Sequence, residues 1–447
     1  MRMKSFKWKK ICSTALALSL AVSIAAVTGG CSNNTPSSNG GASSASSATA
    51  KLSGSITVAA WNDAATSMKA EAKEFMSENA GTTVTVQSVD SNYTKLYAEL
   101  AANSGVPDVV QTQNRDFQSF ANKYPDAWLD VTDMVQPEEA NFDSYVLGLI
   151  KTKDKYFAVP WDLGPAALYY RKDIFQKAGV DASAIKTYDD YIAAGKKIVA
   201  ATGGKTKLLG FDYSGATSTD EPMLLFNQLG GKYYDGNGKV KLDSPEMIQS
   251  LTTLKKMIDA GVTINLANEW NDRITATANG QIASIPFPVW YAGTLENSNA
   301  DQSGKWGIVP LPAFTAGGNN QANDGGSVLA ISSTTKNKDL AKAFVKFSLM
   351  TSKGNEINLN SAKLFTSYKK NYSDPEYKEV DKYFGVSVGQ TFAALSEKIP
   401  EISYGPYFTD VNNAFKTATG NVLLKGQDPA KALADATAVA QKAVDAE

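Results

Sequence analysis

The hydrophobic and polar positions divide the chain into three zones. Met1–Lys10 is basic, Ile11–Val27 is an uncharged, mainly apolar run rich in Ala and Ser, and Ser32–Ala50 holds no aromatic, no charge and no aliphatic larger than Ala. From there the pattern becomes regular. Ser55–Ala60 alternates and predicts a strand, and Ala64–Asn79 places Met68, Ala72, Phe75 and Met76 on one helical face. The β-branched run Thr82–Val89 predicts a second strand, Asn92–Asn103 a helix, and Pro107–Thr112 a short buried strand. Strand, helix, strand, helix, strand predicts an α/β sheet. Ligands of such sheets bind beyond the carboxyl ends of the strands. That rule puts Trp61-Asn62-Asp63 and Gln113-Asn114-Arg115 on one rim.

Further on, Tyr156–Pro160 and Ala166–Tyr170 are strand-like and flank a break at Trp161–Pro165. A short helix ends at Gly179. Thr187 caps a helix over Tyr188–Ala201, and Ser244-Pro245 opens another with Pro at its first turn. Asp235-Gly236-Asn237-Gly238 predicts a hairpin turn. Lys305–Val309 and Ser327–Ile331 predict strands, and Asp339–Met350 and Pro429–Val444 amphipathic helices. No internal repeat is visible.

A basic start, an apolar segment and a small-residue step form an export signal over residues 1–30. The step Thr28-Gly29-Gly30-Cys31 resembles a bacterial lipoprotein signal, in which the cysteine is lipidated and becomes the new N-terminus. Thr28 stands where that pattern has an aliphatic residue, with Val27 one place earlier. Ordinary secretion with cleavage elsewhere is the alternative. Residues 31–53 then form a flexible tether, because a segment this polar cannot bury enough surface to order itself. As a coil, Ser32–Ala50 spans about 25 Å.

Composition narrows the chemistry. The body beyond the tether exceeds one hydrophobic core, so two lobes are expected. Of 44 basic residues, five lie in Met1–Gly30, leaving 39 against 45 acidic ones. No basic stripe points to nucleic acid. The chain has no histidine, and its two cysteines are Cys12 and Cys31. The commonest general base and metal ligand is therefore missing, and so is any internal disulfide. Beyond the signal, arginine is confined to Arg115, Arg171 and Arg273, which favours a neutral ligand over an anionic one.

The stretch YFAVPWDLGPAALYYRKDIFQKAGV (Tyr156–Val180) resembles the extracellular solute-binding proteins of carbohydrate ABC transporters, the family that includes maltose-binding protein. VPDVV (Val106–Val110), TYDDYIAAGKKI (Thr187–Ile198), NGQIASIPFPVWYAG (Asn279–Gly293), WGIVPLPAF (Trp306–Phe314) and GGSVLAISSTTKNKDLAKAFVKF (Gly325–Phe347) agree in order. The resemblance covers Gly54 to the C-terminus. It implies a two-lobed α/β fold of the periplasmic-binding-protein type, with ligand between lobes joined by three hinge crossings. Those crossings would fall near Trp161–Ala167, Gly325–Ser332 and Tyr383–Val388. Lobe 1 would comprise 54–161 and about 330–385, and lobe 2 162–329 and about 386–447. The family also implies a monomeric receptor with no cofactor, metal or catalytic residue. Its partners would be a membrane permease pair and, through it, a cytoplasmic ATPase, with the receptor held to the outer face of the cell membrane through lipid on Cys31.

A sugar offers hydroxyls at its edge and C–H patches on its faces, so its site needs flat aromatics and planar amides or carboxylates. Trp61, Asn62 and Asp63 follow the first strand directly, although Trp61 could fill core instead. Asn114 and Arg115 share the rim, and Arg115 could equally pair with a surface acid. Trp161 and Asp162 sit at the first crossing, where the Trp could brace the hinge. Trp290 follows a strand at a place where the family commonly stacks an aromatic on sugar. Asp324 and Gly326 lie at the second crossing, where glycine lets backbone approach a ligand. Tyr404 and Tyr407 precede a helix at a place where the family puts an aromatic against the cleft. Glu221 is either a ligand contact or an ordinary first-turn acid. Trp128, Trp270 and Trp306 read as packing residues.

Two other functions remain open at this level. A secreted glycosidase needs only two carboxylates, but no motif supports one. Gly203-Gly204-Lys205-Thr206 lacks a phosphate loop's first glycine at Val199, and Lys239 stands where a calcium loop needs an acid. A receptor for a peptide, amino acid or polyamine is the other alternative. A polyamine would draw on Asp63, Asp162, Glu221 and Asp324.

Overall fold

The computed structural model describes residues 51–446; the signal, Cys31 and the tether up to Ala50 lie outside the described residues. The chain opens as strand β1 (Gly54–Ala60), helix α1 (Asn62–Glu78), strand β2 (Thr82–Ser88), helix α2 (Thr94–Ala101), strand β3 (Val109–Gln113) and helix α3 (Asn114–Lys123). β1 pairs in parallel with β2 and β3, bringing Val58 beside Val86 and Val109. Short α/β connections drive this arrangement, because parallel neighbours need a crossover helix between them. Ser327–Ile331 joins β3 antiparallel, and Val159–Pro160 closes the five-stranded sheet. α1 buries Ala64, Ala65, Met68, Ala72 and Phe75. The Phe75 ring meets Phe344 and Phe347 edge-on at 5.4 and 5.5 Å.

A second, antiparallel sheet has Ala166–Arg171 at its centre, flanked by Ser284–Pro288 and Trp306–Val309. Every residue of Ser284–Pro288 is buried. Leu209–Phe211 and Thr263–Asn265 form a separate parallel pair. The helix Tyr188–Ala201 starts with a capping box, in which Thr187 and Asp190 satisfy each other's backbone N–H groups. Ser244 accepts from the Met247 N–H ahead of Pro245–Asp259. The Asp235–Gly238 turn closes with a Gly238 N–H donating to Asp235 O at 3.1 Å, but only Tyr234 and Val240 bridge beyond it.

Three chain segments pass between the two sheets side by side. The chain leaves the first sheet at Pro160 and enters the second at Ala166. It returns from Val309 to Ser327. The two passages bond to each other: Ala166 N–H donates to Ala322 O and Asp324 N–H to Gly164 O, both at 2.9 Å. The third segment begins with Phe365–Thr366, which pairs with Asp162–Leu163, and Ser367 N–H donates to Trp161 O at 2.9 Å; this contact lies ahead of the crossing expected near Tyr383–Val388. Farther along, Val388–Ser396 packs on the central strand of the second sheet. These are two α/β lobes with a cleft between them.

Candidate functional site

Five helices begin at one cavity of about 400 Å³ between the two sheets. They are α1, α3, Asp220–Gln228, Glu269–Ala278 and Tyr291–Ser298. The strand-end rule explains the first two, since β1 runs into Trp61-Asn62-Asp63 and β3 into Asn114. Trp61, Asn62 and Asp63 all line the cavity. Asn62 holds a left-handed backbone with φ of 49°, a conformation Asn tolerates better than most residues. Trp61 is anchored from behind: its N–H donates to Gln111 Oε1 at 3.0 Å, and its ring meets Tyr93 edge-on at 5.4 Å. Asp63 reaches the opposite wall, accepting from Thr294 Oγ1 at 3.4 Å.

That opposite wall is aromatic. Trp290 and Trp270 stack with ring centroids 6.3 Å apart at 26°, and Phe287 supports Trp290 edge-on at 5.0 Å. Trp290 Nε1–H donates to Asp324 O at 3.1 Å. The indole lies against glycine: a Cβ on Gly325 would stand 3.0 Å from Trp290 Nε1, and one on Gly164 would stand 1.9 Å from Asp324 O. These two positions explain why the crossings carry Gly164-Pro165 and Gly325-Gly326. Trp270 is 41 % exposed. Reading it as a packing residue was wrong in effect, because it presents its ring to the cavity. Trp128 and Trp306 are buried, as packing residues should be.

The floor is a hydrogen-bonded chain across two crossings. Asp162 Oδ1 accepts from Ser327 N–H at 2.8 Å, Gln111 Nε2–H donates to Ser327 Oγ at 2.9 Å, and Gln111 Oε1 holds Trp61 N–H. Asp162 is 4 % exposed and lines the cavity. Burial pushes its carboxyl up to about 7, partly offset by the Ser327 bonds. Burial also raises Asp63, against the lowering effect of Thr294. Gly326 lines the floor with φ of 93°, and a Cβ there would stand 2.6 Å from Asp162 O.

Other expected contacts lie behind the wall. Asn114 is fully buried and its side-chain amide has no hydrogen-bond partner among the described residues. Arg115 sits 3.4 Å from Asp220 Oδ1 and 3.7 Å from Asp324 Oδ1. Burial works against its charge, but Asp220, Asp324 and Asp116 outweigh burial and hold it charged. Asp324 is buried, and burial with the nearby Asp220 carboxylate raises its pKa despite Arg115.

Four further expectations are corrected. Trp161 is 1 % exposed and its Nε1–H donates to Asn358 Oδ1 at 3.0 Å, so it braces the crossing from the core side. Glu221 is buried in an ion pair with Arg273, which Glu269 shares; its neighbour Asp220 lines the cavity instead. Tyr404 packs against Tyr233 and Phe408 and accepts from Asn227 Nδ2 at 3.3 Å. Tyr407 lines a different crevice, with Tyr97 and Tyr124. Sequence reasoning missed Gln111, Asp220, Trp270 and Thr294 as lining residues. Gln113, which the strand-end rule put on the rim but which was not named as a ligand contact, lines the cavity too.

Among the described residues, no three Asp, Glu, His or Cys side chains are grouped to hold a metal ion, and no helix is long and apolar enough to cross a membrane.

A two-lobed α/β body with an aromatic and carboxylate cavity between its lobes defines a solute-binding receptor. The family model described as bacterial extracellular solute-binding protein matches residues 59–356, and the chain belongs to that family. It is therefore an extracytoplasmic binding protein rather than an enzyme. It is 28 % identical over 357 residues to the arabinooligosaccharide-binding protein of Halalkalibacterium halodurans, covering 76 % of each chain. It is 25 % identical to the lactose-binding protein of Rhizobium radiobacter, over 85 % of this chain and 90 % of that one. Among solved structures, the ABC-transporter-associated binding protein of B. animalis subsp. lactis in complex with β-1,6-galactobiose superposes with a TM-score of 0.73. It is 26 % identical, covering 87 % of this chain and 96 % of that one.

Proposed function

We propose that this protein is the sugar receptor of an ABC importer, taking a short neutral oligosaccharide into the interlobe cavity and presenting it to a membrane permease. The observation that carries the reading is the stacked Trp270–Trp290 pair facing Asp63, Asp162 and Gln113 across one cavity. The indoles offer flat surfaces to sugar C–H faces. The carboxylates and amides accept and donate to hydroxyls at the edge. The relatives named for arabinooligosaccharides and lactose support the same class of ligand. Two of the four carboxylates a polyamine cage would use are already engaged, Glu221 by Arg273 and Asp324 by Arg115.

Ligand bridging the lobes would favour the closed state that a permease reads. Lobe 1 would then be 54–161 with a return from Ser327 to about 385, since Ser327–Ile331 is a strand of its sheet. Lobe 2 would be 162–326 with about 386–447. The body would work as a monomer tethered through lipid on Cys31. Mass spectrometry of the mature N-terminus should find a diacylglyceryl cysteine there; an unmodified N-terminus elsewhere would remove the anchor. The function itself is tested by a thermal-shift screen of mono- and oligosaccharides on the mature protein. At least one glycan should raise the melting temperature and bind with a salt-independent Kd. Silence across the panel, or stabilisation only by amines that salt abolishes, would overturn the reading.

A further inference from the structure

We propose that the cleft discriminates by charge: it accepts neutral glycans and rejects the same glycans carrying a carboxylate. This rests on the sugar reading above. Among the described residues, the cavity lining holds three carboxylates, Asp63, Asp162 and Asp220, and no lysine or arginine. Asp162 is buried beyond nine-tenths, and its bond to Ser327 N–H engages only Oδ1. Its other oxygen is an acceptor for a ligand hydroxyl and a like charge to a ligand carboxylate.

Two features could have favoured an anion, and both are already answered by the protein. Arg115 stands just behind the wall, but Asp220 and Asp324 hold it from two sides. Five helix N-termini converge on the cavity, and such ends attract anions. Four of them carry their own acid in the first turn: Asp63, Asp116, Asp220 and Glu269. Burial already raises Asp63 and Asp162, so a ligand carboxylate beside them is seated either against their charge or with uptake of a proton, a cost that grows with pH. In a desolvated cleft such repulsion is weakly screened.

The test pairs lactose, β-1,6-galactobiose and arabinotriose with derivatives in which one primary alcohol is oxidised to carboxylate. Calorimetry at pH 8 and 0.15 M salt reads the ratio of the two Kd values for each pair. The oxidised member of a binding pair should be weaker by about 100-fold, a size expected for a like charge at close range in a partly desolvated site. Asp220→Asn should narrow the ratio more than Asp63→Asn, because it removes a charge and also loosens Arg115. Reading a ratio keeps the test valid where these changes weaken the neutral glycan too, and melting curves confirm folding. Oxidised and neutral members binding within threefold overturn this inference alone. If no neutral member binds while the protein is folded, the sugar reading fails and this inference fails with it.

Discussion

Replacing Trp270 with Ala separates ligand binding from packing better than any other single change. The residue is 41 % exposed, its ring leaning on Trp290 on one side and lining the cavity on the other. A tryptophan side chain presents up to about 250 Å², so roughly 100 Å² remains available to a ligand face. Covering that area at about 25 cal/mol per Å² gives roughly 2.5 kcal/mol, or about 70-fold in Kd. The cost to the free protein should be smaller, about 1–2 kcal/mol, because Trp270 makes no side-chain hydrogen bond among the described residues and an exposed site can relax around the truncation. The assay is calorimetric titration with the best glycan from the screen, with urea unfolding of the free protein alongside. Trp270→Phe should fall between wild type and Ala, since it keeps a flat but smaller face. A Trp270→Ala protein that folds normally and binds within threefold of wild type would refute the stacking argument. It would move the sugar site away from this wall.

Trp290→Ala should behave differently. It loses the bond to Asp324 O and opens a gap beside Gly325, so both affinity and stability should fall, the latter by about 2–4 kcal/mol in urea unfolding. Arg273→Met leaves Glu221 and Glu269 buried without their cation, which should cost about 3–5 kcal/mol with little change in ligand contacts; full stability would contradict the packing role given to Glu221. Asp162 titrates near 7 because burial disfavours its charge. Its raised folded pKa makes its contribution to stability greatest below the unfolded carboxylate range and progressively lost as pH climbs through about 7. Ligand hydroxyls favour the ionised form, so affinity should rise from pH 6 to 8 and binding near pH 7 should release a proton. Calorimetry in buffers of different ionisation enthalpy reads that proton, and Asp162→Asn should abolish its share; buffer-independent heats would sink the idea. Gly164→Ala places a Cβ 1.9 Å from Asp324 O, so it should force the two crossings apart and lower the melting temperature even without ligand.

Much of the fold was legible because its causes are local. β1, β2 and β3 alternate or run β-branched, and Thr187 and Ser244-Pro245 announce helix starts with their own side chains. The strand-end rule then located Trp61, Asn62 and Asp63 before any tertiary contact was known. Trp270 was not legible. It follows no strand of the binding rim, its neighbours Glu269, Asn271 and Asp272 are polar, and its partner Trp290 is twenty residues away. The Glu221–Arg273 pair is likewise set by two helices whose partners are 52 residues apart, which no local pattern encodes.

Two of the misplaced residues, Trp161 and Glu221, share one cause. For each the sequence identified the right stretch of chain, and the phase of the local structure decided which neighbour faced the cavity, whereas the Tyr404–Tyr407 stretch lies away from that cavity. Successive residues of an extended segment point to opposite faces, so Asp162 enters the cavity and Trp161 enters the core. Successive residues of a helix lie about 100° apart, so Asp220 lines the cavity while Glu221 turns inward to Arg273. The same rotation exposes Trp290 to the cavity and buries Tyr291 beneath it, close to Arg273. Phase is set by which face packs on the rest of the lobe, a non-local fact. The chemistry follows from that phase: the large aromatic at 161 and the acid at 221 stabilise the lobes. Their neighbours at 162 and 220 supply the negative charge that the cavity presents to its solute.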